Sequence, residues 1–109
     1  TVFIETKMLT FIRDVQLKRI TFDHYADPMH GWVRVNKKVL RDFWGLTWRK
    51  HFTPYSYERG DWTYLEEDRD AHVLVTGLKD ADVEVNFREH HTNNNSRIRS
   101  YSFLQPIGD

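Results

Sequence analysis

Cysteine is absent from this chain of 109 residues. That excludes disulfides, thiolate catalysis and every zinc site that uses a Cys ligand. It also fits a reducing compartment. No apolar run approaches the roughly 18 residues a membrane-spanning helix needs, so no membrane association is expected. The N-terminal segment lacks a basic region followed by an apolar stretch, so no signal peptide is expected. The chain begins at Thr1 rather than Met, as a processed chain would. The location expected from these features is cytoplasmic. Net charge is missing too: Lys plus Arg is 16 and Asp plus Glu is 16. A neutral chain lacks the footprint of a general nucleic-acid binder, and it lacks the dense negative surface of a DNA mimic. The five glycines are dispersed. No phosphate-cradling loop of the GxxxxGK[ST] or GxGxxG kind occurs, and no Gly-x-Ser-x-Gly elbow. No repeat, linker or low-complexity tract divides the chain, apart from Asn93-Asn94-Asn95. One domain spanning residues 1–109 is the expectation.

What is present is aromatic and charged. Aromatics make up 15%, with 4 Trp, 5 Tyr and 7 Phe. Large rings let a small α+β core gain buried area. They are also enriched at binding hot spots, so some could serve a partner.

Period-two alternation in residues 2–24 suggests two strands forming a hairpin near Arg13-Asp14, with Asp27-Pro28 as the following turn. Met8, Phe11, Ile12 and Val15 sit at helical spacing and argue the other way. Gly31 to Val35 reads as a strand. Asn36 reads as an N-cap, with Val39, Leu40, Phe43 and Trp44 as an apolar stripe and Gly45 as the stop. Residues 36–44 are therefore expected to be helical. Residues 46–61 read as an irregular aromatic loop. Gly60-Asp61 turns into a strand at 62–65. Asp68 or Asp70 is expected to cap a second helix through about Lys79, burying Ala71, Leu74, Val75 and Leu78. A strand at 72–76 competes, and Gly77 weakens the helix by about 1 kcal/mol relative to Ala. Residues 83–104 read as a β-hairpin around an Asn-rich loop at 92–96, and residues 105–109 as frayed. The resulting order is β-β-β-α-β-α-β-β: an α+β domain with an antiparallel or mixed sheet and two short helices.

The block Gly60-Asp61-Trp62-Thr63-Tyr64-Leu65-Glu66-Glu67-Asp68-Arg69-Asp70-Ala71, with His30-Gly31-Trp32 and Ser56-Tyr57 before it, resembles a motif of small uncharacterised proteins from bacteria, plasmids and phages. The shared core is Tyr-Leu-Glu-Glu-Asp-x-Asp-Ala, and the likeness spans about residues 30–75. It implies a prokaryotic or mobile-element origin and carries over no active site.

Four groups of residues bear on chemistry. Glu66, Glu67, Asp68 and Asp70 could offer hard oxygens to a cation, but the calcium-loop pattern is absent, and acidic residues suit the first turn of a helix. The histidines, His24, His30, His51, His72, His90 and His91, show no HExxH spacing, so no metal site or cofactor is expected. His24 with Asp23 or Asp27 is the best acid–base candidate. A third lead is the charge layout. From His30 to His51 there are six basic residues against one acid, and from Glu58 to Glu84 nine acids against three bases. The basic segment provides the candidate surface: Arg34, Lys37, Lys38, Arg41, Trp48, Arg49 and Lys50. Lys37, Lys38 and Arg41 lie off the apolar stripe and are expected to face water. Basic residues interleaved with an aromatic can hold phosphate and stack a base, or recognise an acidic protein. Alternatively, the two segments neutralise each other within the fold. A fourth group, Arg97, Arg99 and Tyr101 with Arg88 nearby, forms a second basic stripe if that strand face is exposed.

Three functions are weighed. The first is a non-catalytic interaction module binding a protein partner. The second is a nucleic-acid-binding module using residues 34–51, and the third a small nuclease. A monomer or a homodimer would serve any of them.

Overall fold

A computed structural model describes residues 19–107. Strand β1 (Arg19–Ala26) is followed by β2 (Gly31–Asn36) and helix α1 (Lys37–Trp44). A 3₁₀ turn at Trp48–His51 leads to β3 (Tyr57–Arg59) and β4 (Trp62–Glu66). Helix α2 (Asp70–Asp80), β5 (Glu84–His91), a second 3₁₀ turn (Arg97–Ser100) and β6 (Ser102–Phe103) complete the order. The strands form one mixed sheet in the order β5-β1-β2-β4-β3-β6, so the chain is an α+β domain as expected. Among the described residues, only β1 and β5 pair in parallel. The expected hairpin near Arg13-Asp14 lies outside the described residues.

Local chemistry accounts for most boundaries. Asp27 closes the β1–β2 turn, its Oδ1 accepting from the amides of Met29 and His30. Asn36 caps α1 by accepting from the amide of Lys38, and Gly45 ends the helix at φ 80°. Gly60, at φ 58°, turns β3 into β4, where a side chain would strain the backbone.

α2 forms where expected, but neither aspartate caps it in the expected way. The amides of Asp68 and Arg69 donate instead to the carboxylate of Glu66. Asp70 is the first helical residue and is fully buried. Gly77 has a packing reason to be small: a Cβ there would sit 3.1 Å from Phe43 Cε2, where the two helices meet.

Both helices cover one face of the sheet. Leu40 of α1 and Ala71, Leu74 and Leu78 of α2 pack on Phe22, Val33, Val35 and Leu65, joined by Trp48 and Leu104. Val75, expected in the buried face, is only half-buried.

The other face holds a second cluster of Trp32, Tyr64 and Ile98, flanked by Tyr25, Tyr57, Trp62 and Tyr101. Here the structure corrects the C-terminal expectation. Residues 83–104 are not a hairpin. β5 pairs with β1, and residues 92–101 cross the outer face as a strap with Ile98 buried beneath it. Part of the aromatic loop is also more regular than expected, since β3 bridges β4 and β6. Gln105 is tied down rather than frayed, its amide donating to Glu58.

Candidate functional site

The basic segment 34–51 does not assemble into one surface. Trp48 is 1% exposed and belongs to the helix-side core. Lys37 and Arg49 are buried as well. Arg49 donates to both oxygens of Glu58, at 2.8 and 3.0 Å, and Lys37 Nζ donates to Glu58 at 2.7 Å. Lys37 therefore does not face water as helix periodicity suggested. Glu58 lies on β3, and it draws both cations inward. Burial opposes the charge of Glu58, but hydrogen bonds from Arg49 and Lys37 prevail and hold its pKa at about 2. Lys38 is exposed and pairs with Asp42 one helical turn on, at 2.5 Å. Arg41 is half-buried and Lys50 exposed. Of the seven residues, Arg34 alone stands on the outer sheet face, its guanidinium 3.4 Å from the centre of the Trp62 ring.

The acidic block is equally dispersed. Glu66 accepts from the amides of Asp68 and Arg69 just before α2, and Glu67 turns to His24. Asp70 Oδ2 accepts from the amide and hydroxyl of Thr53 and the hydroxyl of Ser56, while Oδ1 accepts from Arg69. Among the described residues, no three His, Asp or Glu side chains converge where an ion could sit. Asp27 is likewise structural. It takes two hydrogen bonds from Arg99, at 2.6 and 2.9 Å, and one from the amide of Ser96, which fastens the strap to the β1–β2 turn. The Arg99 bonds above all, seconded by these amides, hold its carboxyl far below the usual carboxylate range despite burial. Arg99 is therefore committed, and the second basic stripe is not a strand face.

Sheet register builds a different site on the outer face. In successive rows, Arg88, Asp23, Arg34, Tyr64 and Tyr57 stand side by side across β5, β1, β2, β4 and β3. In the next row His90 stacks on Tyr25, with ring centres 4.6 Å apart and planes 15° apart. Asp23 Oδ1 accepts from His90 Nε2 at 2.9 Å and pairs with Arg88 at 3.1 Å. Between this surface and the strap lies a groove of about 780 Å³. Tyr25, Tyr64 and Tyr101 supply its rings, and Arg34 and Arg97 its cationic groups, beside the His90 ring whose Nε2 is engaged by Asp23. His91, Asn94 and Asn95 complete the polar rim, and no carboxylate lines it. The volume lies within the range of clefts that hold small ligands. Linear reading missed this groove because its parts come from β1, β2, β4, β5 and the strap. The one available signal was Arg34 alternating with core residues on a strand.

No protein-family model, curated protein or solved structure matches this chain.

Proposed function

We propose that this protein is a non-catalytic interaction module whose groove under the strap holds a nucleotide unit of single-stranded nucleic acid. One observation carries the reading: a small-ligand-sized groove rich in Tyr, Arg, His and Asn that no carboxylate lines. Tyr rings offer stacking planes tolerant of any base, worth about 1–3 kcal/mol per base. Arg34 and Arg97 offer charge to a phosphate, and the asparagines offer neutral donors and acceptors. This moves the nucleic-acid surface away from residues 34–51, keeping only Arg34. A role as a small accessory protein of bacteria or mobile elements accompanies the proposal through the resemblance in residues 60–71. The nuclease alternative has less support, because His24 has both ring nitrogens engaged by glutamates.

Fluorescence anisotropy with labelled single-stranded oligonucleotides over a salt series tests the proposal. Affinity should fall as salt rises, with a log–log slope of about 0.7 per phosphate contact. Arg34→Ala and Arg97→Ala should each weaken binding about tenfold, within the range for a lost charged hydrogen bond. Flat or absent binding at low salt removes the reading.

A second reading, a protein partner, is favoured by a different observation. Tyr55 and Phe103 are 74% and 58% exposed, on the β3–β6 side of the sheet. Aromatic rings on the surface beside an open strand edge suit a partner chain.

A further inference from the structure

β5 ends the sheet, and among the described residues no strand pairs with its far side. Edge strands of natural proteins are guarded by brevity, proline, lysine or a bulge. The opposite edge follows that rule, since β6 has only two residues. β5 does not: it runs for eight residues, Glu84 to His91, without proline or lysine. Its register with β1 advances one for one from Arg19–Glu84 to Ala26–His91, so no bulge interrupts it. Glu89, the charge on its helix-covered side, is already engaged by His24 at 2.5 Å. Phe87 lies on that same side, edge-on to His24, and is still 41% exposed.

Backbone direction fixes which groups the edge offers. Just beyond β5, the amide of Thr92 donates to the carbonyl of Ala26. Amide direction alternates along a strand, so Glu84, Asn86, Arg88 and His90 also turn their backbone groups to β1. Val85, Phe87, Glu89 and His91 turn theirs outward. A second copy of β5 can meet them in antiparallel fashion about a two-fold axis perpendicular to the sheet. That axis keeps the helix-covered faces on one side, so odd-numbered residues must face odd-numbered ones. Centred on Phe87, the ladder spans residues 84–90. Phe87 then faces its own copy and Val85 faces Glu89, and each such pair exchanges both backbone hydrogen bonds. On the outer face Glu84 meets His90 directly and Arg88 diagonally, while Asn86 meets Arg88, so no like charges oppose. Moving the centre to Arg88 sets that cation against itself. Moving it to Asn86 shortens the ladder to residues 84–88. The gain there, a Glu84–Arg88 contact, draws on an arginine already paired with Asp23 at 3.1 Å.

We propose that the protein forms a homodimer through antiparallel β5–β5 pairing centred on Phe87, which joins two sheets into one. The proposal goes beyond the nucleic-acid reading and does not depend on it. Both grooves then open on the same side of the joined sheet. Sedimentation velocity on the intact protein over a concentration series is the first test, and a reversible monomer–dimer equilibrium is expected. Phe87→Lys sets like charges face to face on the axis and should weaken the dimer at least about fivefold, with circular dichroism confirming that the variant folds. The chain has no cysteine of its own, so single-cysteine variants report the register independently. Phe87→Cys should crosslink to a covalent dimer under mild oxidation. Facing Cα atoms in a hydrogen-bonded antiparallel pair lie about 5.5 Å apart, within disulfide reach. Asn86→Cys and Arg88→Cys do not face their own copies in this register and should stay largely uncrosslinked in the same time. A monomer up to millimolar concentration, a dimer unmoved by Phe87→Lys, or faster crosslinking through Asn86→Cys or Arg88→Cys than through Phe87→Cys would each overturn the inference.

Discussion

Arg49 grips Glu58 through two parallel hydrogen bonds, and Lys37 completes the triad from α1. The side chains of Arg49 and Glu58 are only 5% and 13% exposed. Two cations share one carboxylate, and Glu58 also accepts from the amide of Gln105. Removing the carboxylate would strand two buried positive charges. Glu58→Gln is therefore expected to cost about 3 kcal/mol, measured by urea denaturation at pH 7. The acid limb follows from the depressed pKa. The triad's contribution should be complete above the ordinary value of 4.5 and should fade as pH falls through about 2. The variant should lack that acid limb.

Asp70 has a comparable role for the loop before β3. Its Oδ2 gathers three donors from Thr53 and Ser56, and no solvent reaches the side chain. The Ser56 hydroxyl in turn accepts from the amide of Glu66, so loop, strand and helix share one node. Asp70→Ala should cost about 3 kcal/mol, because three donors lose a buried acceptor. Hydrogen exchange should show the loss of protection concentrated at the amides of Thr53 and Glu66.

The strands and helices were legible where local rules act. The Asn36 cap, the α1 stripe and the Gly60 turn depend on residues within a few positions of one another. Partners across the sheet were not legible. Alternation in residues 84–91 marks a strand but does not distinguish pairing with residues 97–103 from parallel pairing with β1. The Asn-rich stretch at 92–96 looked like a hairpin loop for the same reason, yet it opens the strap. The site failed through summation along the chain. Six basic residues in the 30–51 segment suggested a patch, but Glu58 lies just beyond that segment and draws two of them inward from β3. Trp48 next to Arg49 looked like a stacking ring, but the 3₁₀ turn points it into the core.

Gly31 is a position where the absence of a side chain is required. A Cβ there would collide with the Glu67 carboxylate and crowd His24 Nε2. Neither can yield freely, because they are hydrogen-bonded to each other at 2.6 Å. Gly31→Ala should cost about 2 kcal/mol, within the range for overpacking a tight site. In the Glu67→Ala background, with the obstructing carboxylate gone, the added cost of Gly31→Ala should fall below about 1 kcal/mol. Thermal unfolding of the four proteins of that cycle measures both quantities.

His24 sits between two carboxylates, with Nε2 2.6 Å from Glu67 and Nδ1 2.5 Å from Glu89. Both glutamates accept only if both ring nitrogens carry protons, which is the imidazolium form. Burial works against that charge, but the two glutamates outweigh it and raise the pKa above 6.5. His72 on α2 lines the same small cavity as His24, Glu67 and Glu89, together with the apolar Val33, Val75 and Phe87. A raised folded-state pKa fixes the sign. The clasp stabilises the fold fully below the unfolded pKa of about 6.5. Its contribution is lost as pH rises through the folded value, because the neutral ring can donate to only one glutamate. The clasp ties β1 to β5 and to the β4–α2 junction, so its loss should loosen the edge strand first. The melting temperature should therefore decline as pH rises above about 6.5. His24→Asn should remove that slope, and Glu67→Gln with Glu89→Gln should remove it as well. A melting temperature that stays level across this range in the unaltered protein would mean that the clasp contributes nothing as an ion pair.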